Sequence, residues 1–329
     1  MDFVFILQQT IICMIPLLIV ALGGLFSERS GVINLALDGE MIFGAFIGAI
    51  FVWEVVQNNI GLATSQGVYF LGMLVAALSG AVFSLLLSFS AIHLKANQTI
   101  GGTALNMLAP AIVCTFGLLF FNSERIVSGG SFILLKSSYP SWFQPVFDSW
   151  VGGFFSLLLD KVYLSTYVCV ILFIVLSVWL YRSKVGTHLR ACGEHPAAAS
   201  SVGISVKKMR YLGVTISGAL AGLGGFVYIA TSAATAAENT VAGLGFLALA
   251  IMIFGNWRPL WIALGAFLFG FLKCLGVLSS QIDFCSKLGL PMYFYNMMPY
   301  IVVIIVLVLV RKKSGCPKAE GIPYEEGQR

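Results

Sequence analysis

Nine stretches of this 329-residue chain are apolar enough, and close enough to bilayer length, to be read as membrane helices. A helix needs about 20 mostly apolar residues to cross the hydrocarbon core. On that criterion spans fall near 4–26, 36–56, 68–93, 99–121, 163–181, 211–231, 244–257, 259–279 and 293–310. The seventh is short, and reads either as a half-helix or as a full crossing. Charged residues make up only 10% of the chain, against about 25% in a soluble domain. The 35 Gly residues suit helices packed through small side chains. The expected fold is an all-α polytopic membrane protein with about nine crossings (about 8–10), some broken or re-entrant. It forms one domain over 1–310, followed by a polar, little-structured tail at 311–329. The first run lacks a basic n-region and leads through Gly23-Gly24 into more membrane-like sequence, so it is kept as a span.

Positive charge sets the orientation. Arg182, Lys184, Arg190, Lys207, Lys208 and Arg210 crowd one internal loop, 182–210, and Arg311, Lys312, Lys313 and Lys318 follow the last span. Both belong on the cytoplasmic side. Counting crossings back from them puts Lys95 inside, and the 122–162 loop and the N-terminus outside. Pro140, Trp142, Pro145 and Trp150 in that loop suit either a headgroup-level connector or a docking surface for an external partner. Net charge +5 arises at the ends of apolar runs and is no argument for nucleic acid.

Catalytic signatures are missing. There is no HExxH, the three His (93, 188, 195) are too dispersed for a metal site, and no P-loop occurs. Transport against a gradient would then draw its energy from another chain or from an ion. Polar residues inside the apolar runs are more telling, because an ionised one costs about 2.5–3.5 kcal/mol at a helix centre. SGVINLALDGEM (Ser30–Met41) carries Asn34, Asp38 and Glu40, and TSAATAAENTVAG (Thr231–Gly243) carries Glu238 and Asn239. Both read as interruptions of broken helices beside a substrate route, the alternative being ordinary surface loops. Thr99, Thr103 and Asn106 share one helical face, where they either bond a neighbouring helix or line a cavity. An ion-coupled secondary transporter would have to rely on Asp38, Glu40 and Glu238.

FSERSGVINLALDGEM (Phe26–Met41), ANQTIGGTALNMLA (Ala96–Ala109), LRACGEHPAAASSVGISVKKMRY (Leu189–Tyr211), SGALAGLGG (Ser217–Gly225), GLGFLALAIMIFGNWRP (Gly243–Pro259) and GIPY (Gly321–Tyr324) occur in that order. With them the chain resembles permease subunits of bacterial ABC importers for branched-chain amino acids, ribose and nucleosides. It is most similar to the branch working with basic-membrane-protein lipoproteins. The resemblance implies a multi-pass subunit of the bacterial cytoplasmic (inner) membrane that forms half of a pore and is not itself an enzyme. The implied partners are an ATP-binding subunit, a second related permease, a substrate-binding lipoprotein and membrane lipid. The implied chain holds no cofactor of its own, ATP and Mg residing on the ATPase. The implied solute is small and neutral, a purine nucleoside first, with riboflavin, a sugar or a branched-chain amino acid as alternatives. The resemblance makes Gly186–Gly203 the loop whose short helix docks on the ATPase, with Arg190, Gly193, Glu194, His195, Pro196, Ala199 and Gly203 as its coupling residues. Gly193 and Pro196 suit a break followed by a helix start, and Ala197–Ala199 favour that helix. Arg190 and Glu194 flank it with charge suited to pairing across an interface. His195 departs from the family's usual Asn, and Cys192 from its usual aliphatic residue.

Overall fold

A long glycine-rich helix in the second half of the chain organises the rest. A computed structural model describes residues 3–59, 62, 64–128, 130, 132–134, 160–232, 236–279, 291–309 and 315–325. The helices are α1 (Phe3–Arg29), α2 (Leu37–Asn58), α3 (Gln66–Ile92), α4 (Gln98–Phe121), α5 (Leu164–Arg182) and α6 (Lys184–Glu194). They continue with α7 (Pro196–Ser201), α8 (Val206–Thr231), α9 (Leu244–Phe254), α10 (Pro259–Leu278) and α11 (Met292–Leu309). The all-α polytopic fold expected from the sequence is the one found. Among the described residues seven helices are long and apolar enough to cross a membrane, and shorter apolar helices lie at Leu244–Phe254 and Tyr293–Ile305. Two-residue strands complete the described chain: β1 (Ile126–Val127), β2 (Ile133–Leu134), β3 (Val162–Tyr163) and β4 (Ala236–Ala237). β1 pairs antiparallel with β4, and β2 with β3.

The glycine-rich helix is α8. Of the most apolar 18 residues in each helix, 83% are buried in α1, 72% in α8 and 61% in α2, but only 22% in α4 and 28% in α5. The first three are therefore the centre, with α3 packed along α8 and α2. Gly222 is where α8 meets both neighbours. A Cβ there would lie 2.9 Å from the Cα of Gly80 on α3 and closer still to the Ala76 carbonyl, and Gly44 of α2 abuts the same residue. Lipid tails are as apolar as leucine, so close backbone contact, rather than expulsion of water, holds such helices together. Outward faces carry residues such as Leu78, Val82, Leu119 and Val175, as lipid- or partner-facing surfaces do.

Sidedness follows the contacts. The C-terminal end of α1, helices α6 and α7 and the α9–α10 turn gather at one end through Arg29, Glu194 and Trp257. The strand pairs and the Gln8 side chain, donating to the Asp160 carbonyl at 3.2 Å, mark the other end. Pro140, Trp142, Pro145 and Trp150 lie outside the described residues. One expectation is corrected. Residues 315–325 of the tail are not loose but lie along the basic end of the bundle, bonded through Gly315, Ala319, Gly321 and Ile322. A short polar segment held by its backbone carries no apolar period from which packing can be read.

The α8 crossing makes a prediction. Gly222→Val overpacks a backbone contact and should cost about 1–3 kcal/mol or more, lowering the unfolding temperature of detergent-purified protein. Gly67→Ala, where a Cβ meets nothing closer than 3.6 Å, should leave it unchanged or slightly raised.

Candidate functional site

The two polar interruptions meet. After α1 the chain turns at Gly31 (φ 93) and stays non-helical to residue 36. Its freed backbone groups are met by side chains. Ile33 N–H donates to Gln98 Oε1 at 2.8 Å, and Ala36 N–H to Asn34 Oδ1 at 3.0 Å. Asn106 works in both directions, its Nδ2 donating to the Leu35 carbonyl at 2.6 Å while its Oδ1 accepts from Gly39 N–H at 2.7 Å. Asn34 Nδ2 reaches Glu40 Oε2 at 3.0 Å and Ser217 Oγ at 2.9 Å, and both Asn34 and Glu40 are fully buried. Gly31 lies beside Arg210, and Ser217 is two turns further along α8, so the segment climbs about 10 Å into the bundle before α2 begins.

From the other side, the chain after β4 passes through left-handed Ala242 (φ 55) and Gly243 (φ 69), and α9 starts. Gly245 N–H in the first turn of α9 donates to Asp38 Oδ1 at 2.8 Å. A Cβ on Gly245 would strike the Asp38 backbone. The N-termini of α2 and α9 thus abut, one helix running outward and the other inward, and a carboxylate at their meeting suits both dipoles. With 11 residues, α9 is about 16 Å long, half of the hydrocarbon core. The seventh apolar run is a half-helix. Its far end is anchored by Trp257, whose Nε1 donates to Glu28 Oε2 at 2.6 Å and whose carbonyl accepts from Arg29 and Tyr181. Tyr300 on α11 donates its hydroxyl to the Ala242 carbonyl at 2.7 Å.

The basic loop is a second constellation. Ser183 caps α6 by accepting from Gly186 N–H at 2.9 Å. His195 breaks the helix and Pro196 opens α7 at its first position. Gly193 presses on the Arg29 backbone with no room for a side chain, and Ala199 also points inward. The exposed face is His195, Ala197, Ala198, Ser200, Val202 and Gly203, with Val202 74% exposed and Gly203 left-handed at φ 86. Arg190 and Glu194 also make contacts within the chain. The Arg190 guanidinium lies 4.9 Å from the centre of the Tyr181 ring, and Glu194 pairs with Arg29 at 3.7 Å. Burial pushes the Cys192 thiol up to about 11, against the opposing pull of Arg210, so it packs as a small apolar group.

The remaining residues separate. Thr99 and Thr103 are exposed, and the Thr103 hydroxyl turns back to the Thr99 carbonyl at 3.0 Å rather than to a neighbouring helix. Of that set, Asn106 bonds across helices. Glu238 pairs with Arg125 at 3.2 Å near the end of the bundle that carries the strand pairs, with exposed Asn239 next to it. Among the described residues no three His, Cys, Asp or Glu are grouped to hold a metal. Ser217, Trp257 and Tyr300 were not singled out from sequence, since each sits in an apolar run with only its fold contacts to mark it.

Comparison with known proteins places this geometry. Residues 6–309 match the family model described as branched-chain amino acid transport system / permease component. The chain is 37% identical to the guanosine ABC transporter permease protein NupQ of Bacillus subtilis, covering 98% of this chain and 97% of the relative. It is 33% identical to the nucleoside ABC transporter permease protein NupC of Lactococcus lactis, over 97% and 96%. With the NupB nucleoside permease of the same organism it shares 22%, over 98% and 84%. No solved structure matches.

Asn106→Leu should strand the Gly39 N–H and the Leu35 carbonyl, at about 1–3 kcal/mol each. The expected outcome is a fall of several degrees in unfolding temperature, with Thr103→Val at the wild-type value.

Proposed function

Because the chain belongs to the branched-chain amino acid transport system / permease component family, we propose that it forms half the pore of an ATP-driven importer of purine nucleosides. The observation carrying this reading is near-full-length similarity to a guanosine permease at 37% identity. The chain does no chemistry on the solute. ATP and Mg act on a separate ATPase, a lipoprotein delivers the solute, and a second permease completes the pore. Similarity to two different nucleoside permeases of one organism favours a related, non-identical second half.

The shape of the α2–α4 seam favours a flat solute. The helices are closest where Gly39 meets Asn106. They diverge outward around a groove of about 410 Å³ lined by Phe43, Phe46, Phe116, Phe120 and Phe121 with Ile47, Ile50 and Ile112. Trp53, edge-on to Phe121 at 5.0 Å, stands at its outer end. Asn122, Ser123 and Arg125 form the polar rim beyond. A purine ring gains about 1–3 kcal/mol from each aromatic face it stacks on, whereas a sugar has no π-face to stack. In this reading the solute passes from the rim, past the phenylalanines, to the junction of Asn34, Asp38, Glu40 and Asn106. Thr99 and Thr103 lie on the inward continuation of α4, and Glu238 and Asn239 at the outer approach. ATP-driven movement enters through the exposed face of α7 and rocks the half-helices about the Asp38–Gly245 contact. An ion-coupled carrier fits less well, because Asp38, Glu40 and Glu238 already hold Gly245, Asn34 and Arg125.

The test is guanosine uptake into proteoliposomes holding the permease pair, the ATPase and the lipoprotein. Uptake should require ATP and survive a protonophore. Phe116→Ala with Phe120→Ala should lower it by about 30-fold or more if two stacking faces are lost. Uptake that persists without ATP and collapses with the proton gradient would return the secondary transporter.

A further inference from the structure

Residues 315–325 touch the α1–α2, α3–α4 and α9–α10 connections and the end of α6 on the basic end of the bundle. Gly315 N–H donates to Asn256 Oδ1 in the α9–α10 turn at 2.5 Å. Ala319 N–H donates to the Gly193 carbonyl at the end of α6 at 2.9 Å, and Gly321 N–H to the Gly31 carbonyl of the re-entrant segment at 3.3 Å. Lys95, between α3 and α4, pairs with Glu325 at 2.7 Å. Tyr324 packs on the small cluster of Cys192, Ala199 and Val206 that seats α7.

Arg210 sits where these lines cross. It is among the most deeply buried large side chains, 1% exposed, in the first turns of the helix that follows the loop. Its Nη1 donates to the Ile322 carbonyl of the tail at 3.0 Å. Its Nη2 lies 3.1 Å from where a Cβ on Gly31 would stand, so the bare glycine makes room for the guanidinium. Nε and Nη2 have no partner among the described residues, and no carboxylate there lies within ion-pair distance. A buried cation held by one carbonyl is costly to leave and costly to move. Two idle donors beside two backbone strands let the grip pass from one carbonyl to another as those strands shift.

We propose that the 315–325 strap, gripped by Arg210, is the link that carries movement of the α6–α7 loop to the re-entrant segment 30–36. Arg210 is in this sense a positioning residue for transport, because it sets how much solute moves for each ATP consumed. The inference rests on reading the loop as the ATPase-docking element. Direct contact between Gly193 and Gly31 joins loop and segment at one point. The strap adds a second, through Ala319 and Gly321, and two points fix direction where one permits pivoting.

The experiment compares wild type, a chain ending at residue 314, Arg210→Lys, and Gly321→Ala, in proteoliposomes holding the whole transporter. Gly321 has φ 74, and a Cβ there would come 2.8 Å from Ile33 Cδ1, so its substitution shifts the strap with least risk to folding. Guanosine taken up per ATP hydrolysed should fall about tenfold in each variant, the size of an ordinary coupling between linked sites. ATP hydrolysis and co-purification of the ATPase should persist. Arg210→Lys should add nothing in the truncated chain, because the two changes break one link. An unchanged ratio in the truncated chain and in Gly321→Ala would overturn the proposal. Hydrogen exchange of residues 30–36 in the detergent-purified permease reads the same link without any ATPase. Faster exchange on truncation supports it, and unchanged exchange overturns it. Ala198→Arg on the exposed face of α7 tests the docking reading separately. If the ATPase still binds and fires normally, the docking reading fails, whatever exchange reports for the strap.

Discussion

A helix broken inside a bilayer persists only if the backbone groups it frees find partners, because no water is there to take them. This chain breaks its helices twice and meets that condition with very few side chains. Asn106 satisfies a carbonyl and an N–H on either side of the start of α2, Gln98 and Asn34 satisfy two more, and Asp38 caps the half-helix α9. Together with the Asn34–Ser217 bond they join α2, α4, α8 and α9 around one point inside the bundle. Without them the segment 30–36 would have no stable place at that depth.

The glycine face of α8 supplies the other half of the arrangement. Bare backbone at Gly222 draws α2 and α3 against the central helix, and Ser217, one turn and a half earlier on the same helix, receives Asn34. Packing and polar satisfaction therefore use the same element. Since α8 follows directly on α7, a displacement at the basic end enters the centre along a single rigid helix, not through a chain of loops.

Much of this was legible in the sequence. Nine apolar runs became nine helices within a few residues, and the half-length of the seventh was visible in its 11 to 14 residues. The polar stretches around Asp38 and Glu238 stood out because charge is expensive among apolar neighbours. That Asp38 faces Gly245 across more than 200 residues has no local signature, since a glycine opening an apolar run looks the same wherever its N–H points. The charge of Arg190 and Glu194 is obvious in the sequence, but their contacts with Tyr181 and Arg29 depend on the ends of α1 and α5. The packing of the tail has no sequence signature beyond its GIPY motif, because backbone bonding is independent of side-chain pattern. The pore roles of Asn34, Asp38, Glu40 and Asn106 remain a proposal built on where the fold brings them.

The half-helix α9 is held at both ends, by Asp38 at its N-terminus and through Trp257 and Glu28 just beyond its C-terminus. It therefore acts as a strut of fixed length between the basic end of the bundle and the start of α2. One added turn would lift that junction by about 5 Å, and one removed would lower it as much. The depth at which the two broken segments meet is thus written in the residue count between Gly245 and Trp257, as a length and not as a chemistry. Point substitutions along the strut leave that depth alone, and only an insertion or deletion can reset it.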